Sequence, residues 1–281
     1  MTSTLKTKAG TSTIETTAGT SPIKTATGNQ PSKARIRQSF ERAALTYDSA
    51  ASVQRRICQQ LAGRLPPGFQ PFNILDAGCG TGYALALLQQ QFPATTTLAL
   101  DLSPAMLGQI TATCGKLAGD LEHLPLANAS IDLYWSSLAV QWCDLPRALA
   151  EARRVIADGG ALALASLGPA TFHELRSAFA GVDAHRHTLS FHAPEELRNL
   201  AMAAGFVAVD VQNHTEIAYY PDFKSLLRAV KALGANQLGA GRRTSLLSRN
   251  AFARAELAGE ALRTPAGLPL TYDVITLHAR T

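Results

Sequence analysis

The chain has 281 residues, 46% of them hydrophobic, enough for one substantial core, and no apolar run reaches the length of a membrane span. Lysine and arginine outnumber the acids 26 to 21, giving a net charge of +5 and favouring an acidic partner without choosing among nucleic acid, lipid and protein. Cys58, Cys79, Cys114 and Cys143 stand far apart, with no C-x-x-C pair and no signal peptide, which argues against a disulfide framework or zinc ribbon and for a cytoplasmic setting.

Residues 1–33 are rich in Thr, Ser and Gly and lack apolar periodicity, so the sequence predicts a disordered tail. Residues 34–66 read as N-terminal helices. Ile36, Phe40, Ala43, Ala44 and Tyr47, then Val53, Ile57 and Leu61, recur at helical spacing, with a joint near Asp48 and a stop at Pro66-Pro67. Across 72–167 strand and helix alternate. FNILDAG, TTTLALD, KLAGD, IDLYWSSLAV and GALALASL are the strands. YALALLQQQF, SPAMLGQI with Ser103 as its N-cap, and DLPRALAEARRVI ended by Asp158-Gly159-Gly160 are the helices. Residues 168–262 form an insertion suited to a lid, and LTYDVITLHA within 268–280 is a last strand. Such alternation predicts an α/β fold with a mostly parallel sheet covered on both faces and a ligand at the carboxyl ends of its strands.

The first strand runs into LDAGCGTG, residues 75–82. A dinucleotide loop of the form G-x-G-x-x-G would need a glycine where Tyr83 stands. The spacing of Asp76, Gly78, Gly80 and Gly82 instead resembles the D-x-G-x-G-x-G signature of S-adenosylmethionine-dependent methyltransferases. Glycines admit the main chain close to the methionine portion, and a nearby carboxylate accepts from its ammonium. Asp101, closing the second strand, is placed to accept from the ribose hydroxyls. In the methyltransferases an acid after the third strand and the next amide meet the adenine, which here gives Asp120 and Leu121. Met106 is placed against the adenine face, and Cys79, Leu102 and Ser136 complete the set the resemblance implies. It also implies a Rossmann-like class I fold of seven strands with S-adenosyl-L-methionine as cofactor.

Five further stretches, RQSFERAALTYDSAASVQ, SSLAVQWCDLP, SFHAPEEL, SLLRAVKALGANQL and LPLTYDVITLHAR, are similar to the malonyl-acyl carrier protein O-methyltransferases of biotin synthesis. Ser190 departs from the arginine expected there. The resemblance implies methylation of the free carboxylate of malonyl-acyl carrier protein, or malonyl-CoA, masking a charge that an apolar chain-elongating tunnel would reject. An ionised carboxylate is already a nucleophile, so positioning groups are expected and no general base. Tyr47, Gln141 and Trp142 are the candidates. A methyltransferase of another small carboxylic acid or of a quinone shares many of these features, as does a non-catalytic S-adenosylmethionine-binding protein.

Arg147, with Arg153 and Arg154 on the same helix, is a candidate substrate contact, although a solvated helix face is the commoner explanation for such residues. In DFKSLLRAVKAL, Lys224, Arg228 and Lys231 fall on one face opposite Leu226, Val230 and Leu233, a stripe suited to an acidic carrier, with Arg242 close behind. His185, His187 and His192 lack metal-ligand spacing, and methyl transfer from a sulfonium needs no metal, so no metal site is expected. No N-P-P-Y-type tetrapeptide follows the fourth strand, which argues against a nucleic-acid substrate.

Overall fold

The computed structural model describes residues 31–233 and 247–281. Its start is three helical pieces, α1 (Lys33–Ala43), α2 (Tyr47–Ala50) and α3 (Ser52–Ala62), so the expected joint near Asp48 is a full short helix. Lys33, read from sequence as the last tail residue, instead opens α1 and holds ion pairs described below.

The alternating half follows as β1 (Asn73–Ala77), α4 (Tyr83–Gln91), β2 (Thr96–Asp101), α5 (Pro104–Leu107), β3 (Gly115–Ala118), β4 (Ile131–Ser137), α6 (Leu145–Val155) and β5 (Ile156–Leu167). Ser103 caps α5 by accepting from the Met106 amide, with Pro104 at the first helical position. Asp158-Gly159-Gly160 is not the end of α6: the helix stops at Val155, and Ile156 turns directly into β5 at φ −75°, ψ 131°. The β-branched pair at the junction favours extended backbone earlier than the Gly-Gly signal suggests.

The remainder is α7 (His173–Phe179), α8 (Pro194–Ala203), β6 (Val207–Tyr220), α9 (Phe223–Ala232), α10 (Arg249–Glu260) and β7 (Leu268–Arg280). The insertion is therefore more than a helical lid, because β6 lies within it and forms one edge of the sheet. The seven strands run β3-β2-β1-β4-β5-β7-β6, with β7 antiparallel to both neighbours and the other pairings parallel.

Strand periodicity divides the core into two layers. Leu133 and Trp135 of β4 pack with Ile57 and Leu61 of α3, Leu88 of α4 and Leu226 of α9, while Tyr134 faces the opposite side with Leu149 and Val155 of α6 and Leu197 of α8. Each such wholly buried apolar side chain contributes about 1.5–3 kcal/mol. Because β2 lies on one side of β1 and β4 on the other, the crevice at their carboxyl ends lies between diverging connections, and the loop after β1 opens into it.

Candidate active site

The glycine loop is held by the neighbouring strand end. The Gly78 and Cys79 amides donate to the Leu100 carbonyl at 2.7 and 3.0 Å, and the Gly80 amide donates to Asp101 Oδ2 at 2.9 Å. Gly78 has φ 77°, and a Cβ there would collide with Ala139. Gly80 has φ 54°, but a Cβ there would meet nothing within 4 Å, so its backbone faces open space. That space is two adjoining cavities, both bordered by Tyr47, Gly78, Gly80 and Ser137.

One cavity is lined by Asp76, Cys79, Asp48, Gln54, Arg55 and Tyr83. Asp76 is 1% exposed and its Oδ2 has no partner. Burial, reinforced by the Asp101 carboxylate, pushes its pKa up to about 8. A buried acid left in this state is suited to a cationic partner such as the ammonium of S-adenosylmethionine. Arg55 stands in the same cavity with its Nε unpaired, a fitting partner for the carboxylate of that ligand.

The second cavity is lined by Asp101, Leu102, Met106, Asp120 and Leu121, with Ile36 and Phe40 of α1 over it. Asp101 Oδ1 accepts from the Ser103 amide at 2.8 Å, which fixes the carboxylate at the strand end while free lone pairs remain for ribose hydroxyls. Lys33 was invisible from sequence as a site residue. Its ammonium lies 2.9 Å from Asp120, 2.5 Å from Glu122 and 3.5 Å from the Cys143 sulfur, so α1 is tethered across this cavity. Burial alone would lower the Lys33 pKa, but Cys143, Glu122 and Asp120 together raise it above the ordinary range, so the tether stays charged.

Two expected cofactor contacts lie elsewhere. Gly82 is the left-handed residue before α4 and borders neither cavity. Ser136 is fully buried and donates to the Ala77 carbonyl at 2.8 Å, whereas its neighbour Ser137 reaches the cavities, because successive strand residues face opposite ways.

A third cavity joins at Tyr47, Leu138 and Trp142. It is lined by Phe40, Tyr47, Gln54, Leu138, Gln141, Trp142, Leu167, Phe172, Leu189, Phe191, Leu233 and Tyr272. The three positioning candidates Tyr47, Gln141 and Trp142 therefore do come together. Trp142 packs edge-on against Phe40 at 5.7 Å, and Gln141 donates to the Leu138 carbonyl at 2.6 Å with its Oε1 unpaired. Gln54 Oε1 also has no partner, and the Tyr272 hydroxyl is buried at the cavity with the Tyr220 hydroxyl as its neighbour. No Asp, Glu, His, Lys or Arg is among the described lining residues.

The α6 arginines are not in these cavities. Arg147 is exposed, Arg153 reaches the Gly205 carbonyl, and Arg154 is spent on Glu151, Asn128 and the Leu124 and Leu126 carbonyls. This is the solvated and structural face that helical spacing allowed. Lys224, Arg228 and Lys231 are exposed along α9 while Leu226, Val230 and Leu233 are buried; Lys224 pairs with Glu256 at 3.3 Å. Arg242 lies outside the described residues. His187 pairs with Asp183 at 2.9 Å and His192 with Glu196 at 2.8 Å, so the histidine-rich stretch is divided between separate carboxylates.

This sheet order and glycine loop, with carboxylates at the ends of β1 and β2, define a class I S-adenosylmethionine-dependent methyltransferase. Residues 75–164 match the Methyltransferase domain family. The fold is similar to Haemonchus contortus phosphoethanolamine N-methyltransferase 2 in complex with S-adenosyl-L-methionine, with a TM-score of 0.54 and 14% identity over 88% of this chain and 60% of that one. A malonyl-[acyl-carrier protein] O-methyltransferase of Dechloromonas aromatica is 68% identical, covering 100% of both chains. A biotin biosynthesis bifunctional protein, BioHC, of Cellvibrio japonicus is 35% identical over 87% of this chain and 49% of its own length. The chain belongs to the malonyl-[acyl-carrier protein] O-methyltransferase family.

Proposed function

We propose that the protein methylates the free carboxylate of a malonyl thioester, borne on acyl carrier protein or coenzyme A, to a methyl ester that begins the pimeloyl chain of biotin. The observation that carries this reading is the chemistry of the third cavity, whose described lining offers hydroxyls and amides but no ionisable base. A phenol or quinol acceptor needs its proton removed, whereas a carboxylate arrives ionised and asks only to be oriented. When bound, S-adenosylmethionine supplies an electrophilic methyl group on a sulfonium.

Asp76 and Arg55 would hold the amino-acid end, Asp101 the ribose, and Asp120 with the Leu121 amide the adenine. Tyr47 borders all three cavities and stands at the meeting point of donor and acceptor. Its hydroxyl and that of Tyr272 are suited to donate to one carboxylate oxygen and leave the other directed at the methyl. Neutral donors orient the anion without forming the tight ion pair that would blunt its attack. Phe40, Trp142, Phe172 and Phe191 exclude water from the acceptor side. The four free thiols suit a reducing cytoplasm.

The test is mass spectrometry of malonyl, succinyl and acetyl carriers, with malonyl-CoA alongside, after incubation with enzyme and cofactor. The malonyl substrates are expected to gain the mass of one methylene and the acetyl carrier none. Modification of the acetyl carrier, or none of any malonyl thioester, overturns the reading.

A further inference from the structure

Beyond the acceptor cavity lies a cleft of about 470 Å³ between α7 and the 183–191 segment, lined by Pro169, Arg176, Phe179, Asp183, Arg186 and His187 among others. Leu189 and Phe191 border both spaces, so cleft and cavity meet at these two side chains. Its walls are built. His187 stacks on Phe179 at 3.9 Å between ring centroids, and its imidazole engages Asp183. Arg176 is used up on the Pro169 and Thr171 carbonyls and the Thr188 hydroxyl. Arg186 differs. It is half-buried at the cleft, its side chain reaches the neutral Ser190 hydroxyl, and it has no carboxylate partner among the described residues.

A guanidinium held beside an apolar wall without a counter-charge is a site for an oxyanion. Phe179 in the cleft wall approaches Phe223 of α9 at 6.1 Å, so the cleft adjoins the helix that carries the basic stripe. We propose that this cleft is the binding site for the phosphate of a phosphopantetheine arm, with Arg186 its anion contact and Leu189 and Phe191 the passage through which the arm carries the acyl group to Tyr47. The inference rests on the malonyl thioester reading and deepens it. Acyl carrier protein and coenzyme A both present an acyl thioester on this arm, so the recognised chemistry is shared.

The test compares malonyl-pantetheine, malonyl-phosphopantetheine, malonyl-CoA and malonyl-carrier as substrates for the wild type, Arg186→Gln and Arg186→Lys. The wild type is expected to prefer the phosphorylated arm over bare malonyl-pantetheine by about tenfold in kcat/KM, as one charged hydrogen bond provides. Arg186→Gln should remove that preference and Arg186→Lys keep most of it. A rise in KM for the carrier but not for malonyl-CoA would assign the site to the carrier-borne arm. A wild type indifferent to the phosphate, or a preference that survives Arg186→Gln, overturns the inference. Should Arg186→Gln not fold, calorimetry of the wild type with phosphopantetheine and pantetheine decides, equal affinities overturning it. Failure of the wild type to methylate any malonyl thioester would instead overturn the underlying reading.

Discussion

Asp76 is the residue whose environment says most about its ligand. A carboxyl whose folded pKa rises from 3.8 to about 8 keeps a proton that the unfolded chain has lost, so the cofactor-free protein is destabilised progressively as pH climbs between those values. An ammonium arriving at Oδ2 reverses the balance and favours the ionised form. Cofactor binding at about pH 6.5 is therefore expected to release close to one proton from the protein, read as a dependence of calorimetric enthalpy on buffer ionisation heat. Asp76→Asn should abolish the release; an unchanged release in a folded Asp76→Asn protein would remove Asp76 from the site. Residue chemistry of this kind was legible in the sequence because the glycine loop and Asp101 stand at strand ends whose positions the hydropathy pattern marks. Lys33 was not legible, since its partner Asp120 is 87 positions away and nothing local distinguishes it from the other lysines of the tail. Ser136 and Ser137 were separable only by knowing which face of β4 met the crevice.

Among the elements, α1 carries the clearest dynamic consequence. It lies over the second cavity through Ile36 and Phe40 and is fastened by Lys33, which makes its loosening the proposed step for cofactor entry. The Lys33 pairs are only partly exposed, with side-chain exposures of 32% for the lysine and 26% and 11% for its acids, which places their contribution at about 1 kcal/mol, the upper end for accessible pairs. Lys33→Ala is expected to weaken cofactor binding about fivefold and to speed amide hydrogen exchange through residues 36–43, while removal of residues 1–30 changes neither. Equal exchange in Lys33→Ala and wild type would show that the tether does not hold the helix. β6 shows why part of the sheet escaped sequence reading: it is an edge strand whose residues alternate between exposed and half-buried, and VAVDVQNHTEIAYY offers no apolar run to mark it. The acceptor cavity escaped for a related reason. Its lining comes from widely separated elements, and Phe172, Phe191, Leu233 and Tyr272 look like ordinary core in any single window.

At the scale of the whole molecule, the described lining of the acceptor cavity carries no charged side chain, while α9 presents Lys224, Arg228 and Lys231 to solvent as the proposed approach for a carrier. Arg228 and Lys231 are the better probes of that approach, because Lys224 is already committed to Glu256. Reversing Arg228 and Lys231 together to Glu is expected to raise KM for a malonyl-carrier about tenfold at low salt through slower association, and the penalty should shrink as salt is added. Cofactor affinity and turnover of malonyl-pantetheine are the controls. Equal losses on carrier-borne and carrier-free substrates would assign these residues to the fold, and a salt-independent loss would rule out steering.

The neutrality of the acceptor cavity also governs what happens after transfer. Hydrogen bonds from hydroxyls to a carboxylate are worth about 1.5–3 kcal/mol each, and those to an uncharged ester about 0.5–1.5. In the proposed reaction Tyr47 and Tyr272 would therefore grip the acid and relax on the ester, so each turnover would weaken the enzyme's own hold on what it has made. A lysine or arginine in their place would have gripped the acid harder and lost more upon its conversion, at the expense of the nucleophile it was holding. With hydroxyls the acyl group would depart because it has been changed, with no remaining anion on which to return for a second methyl.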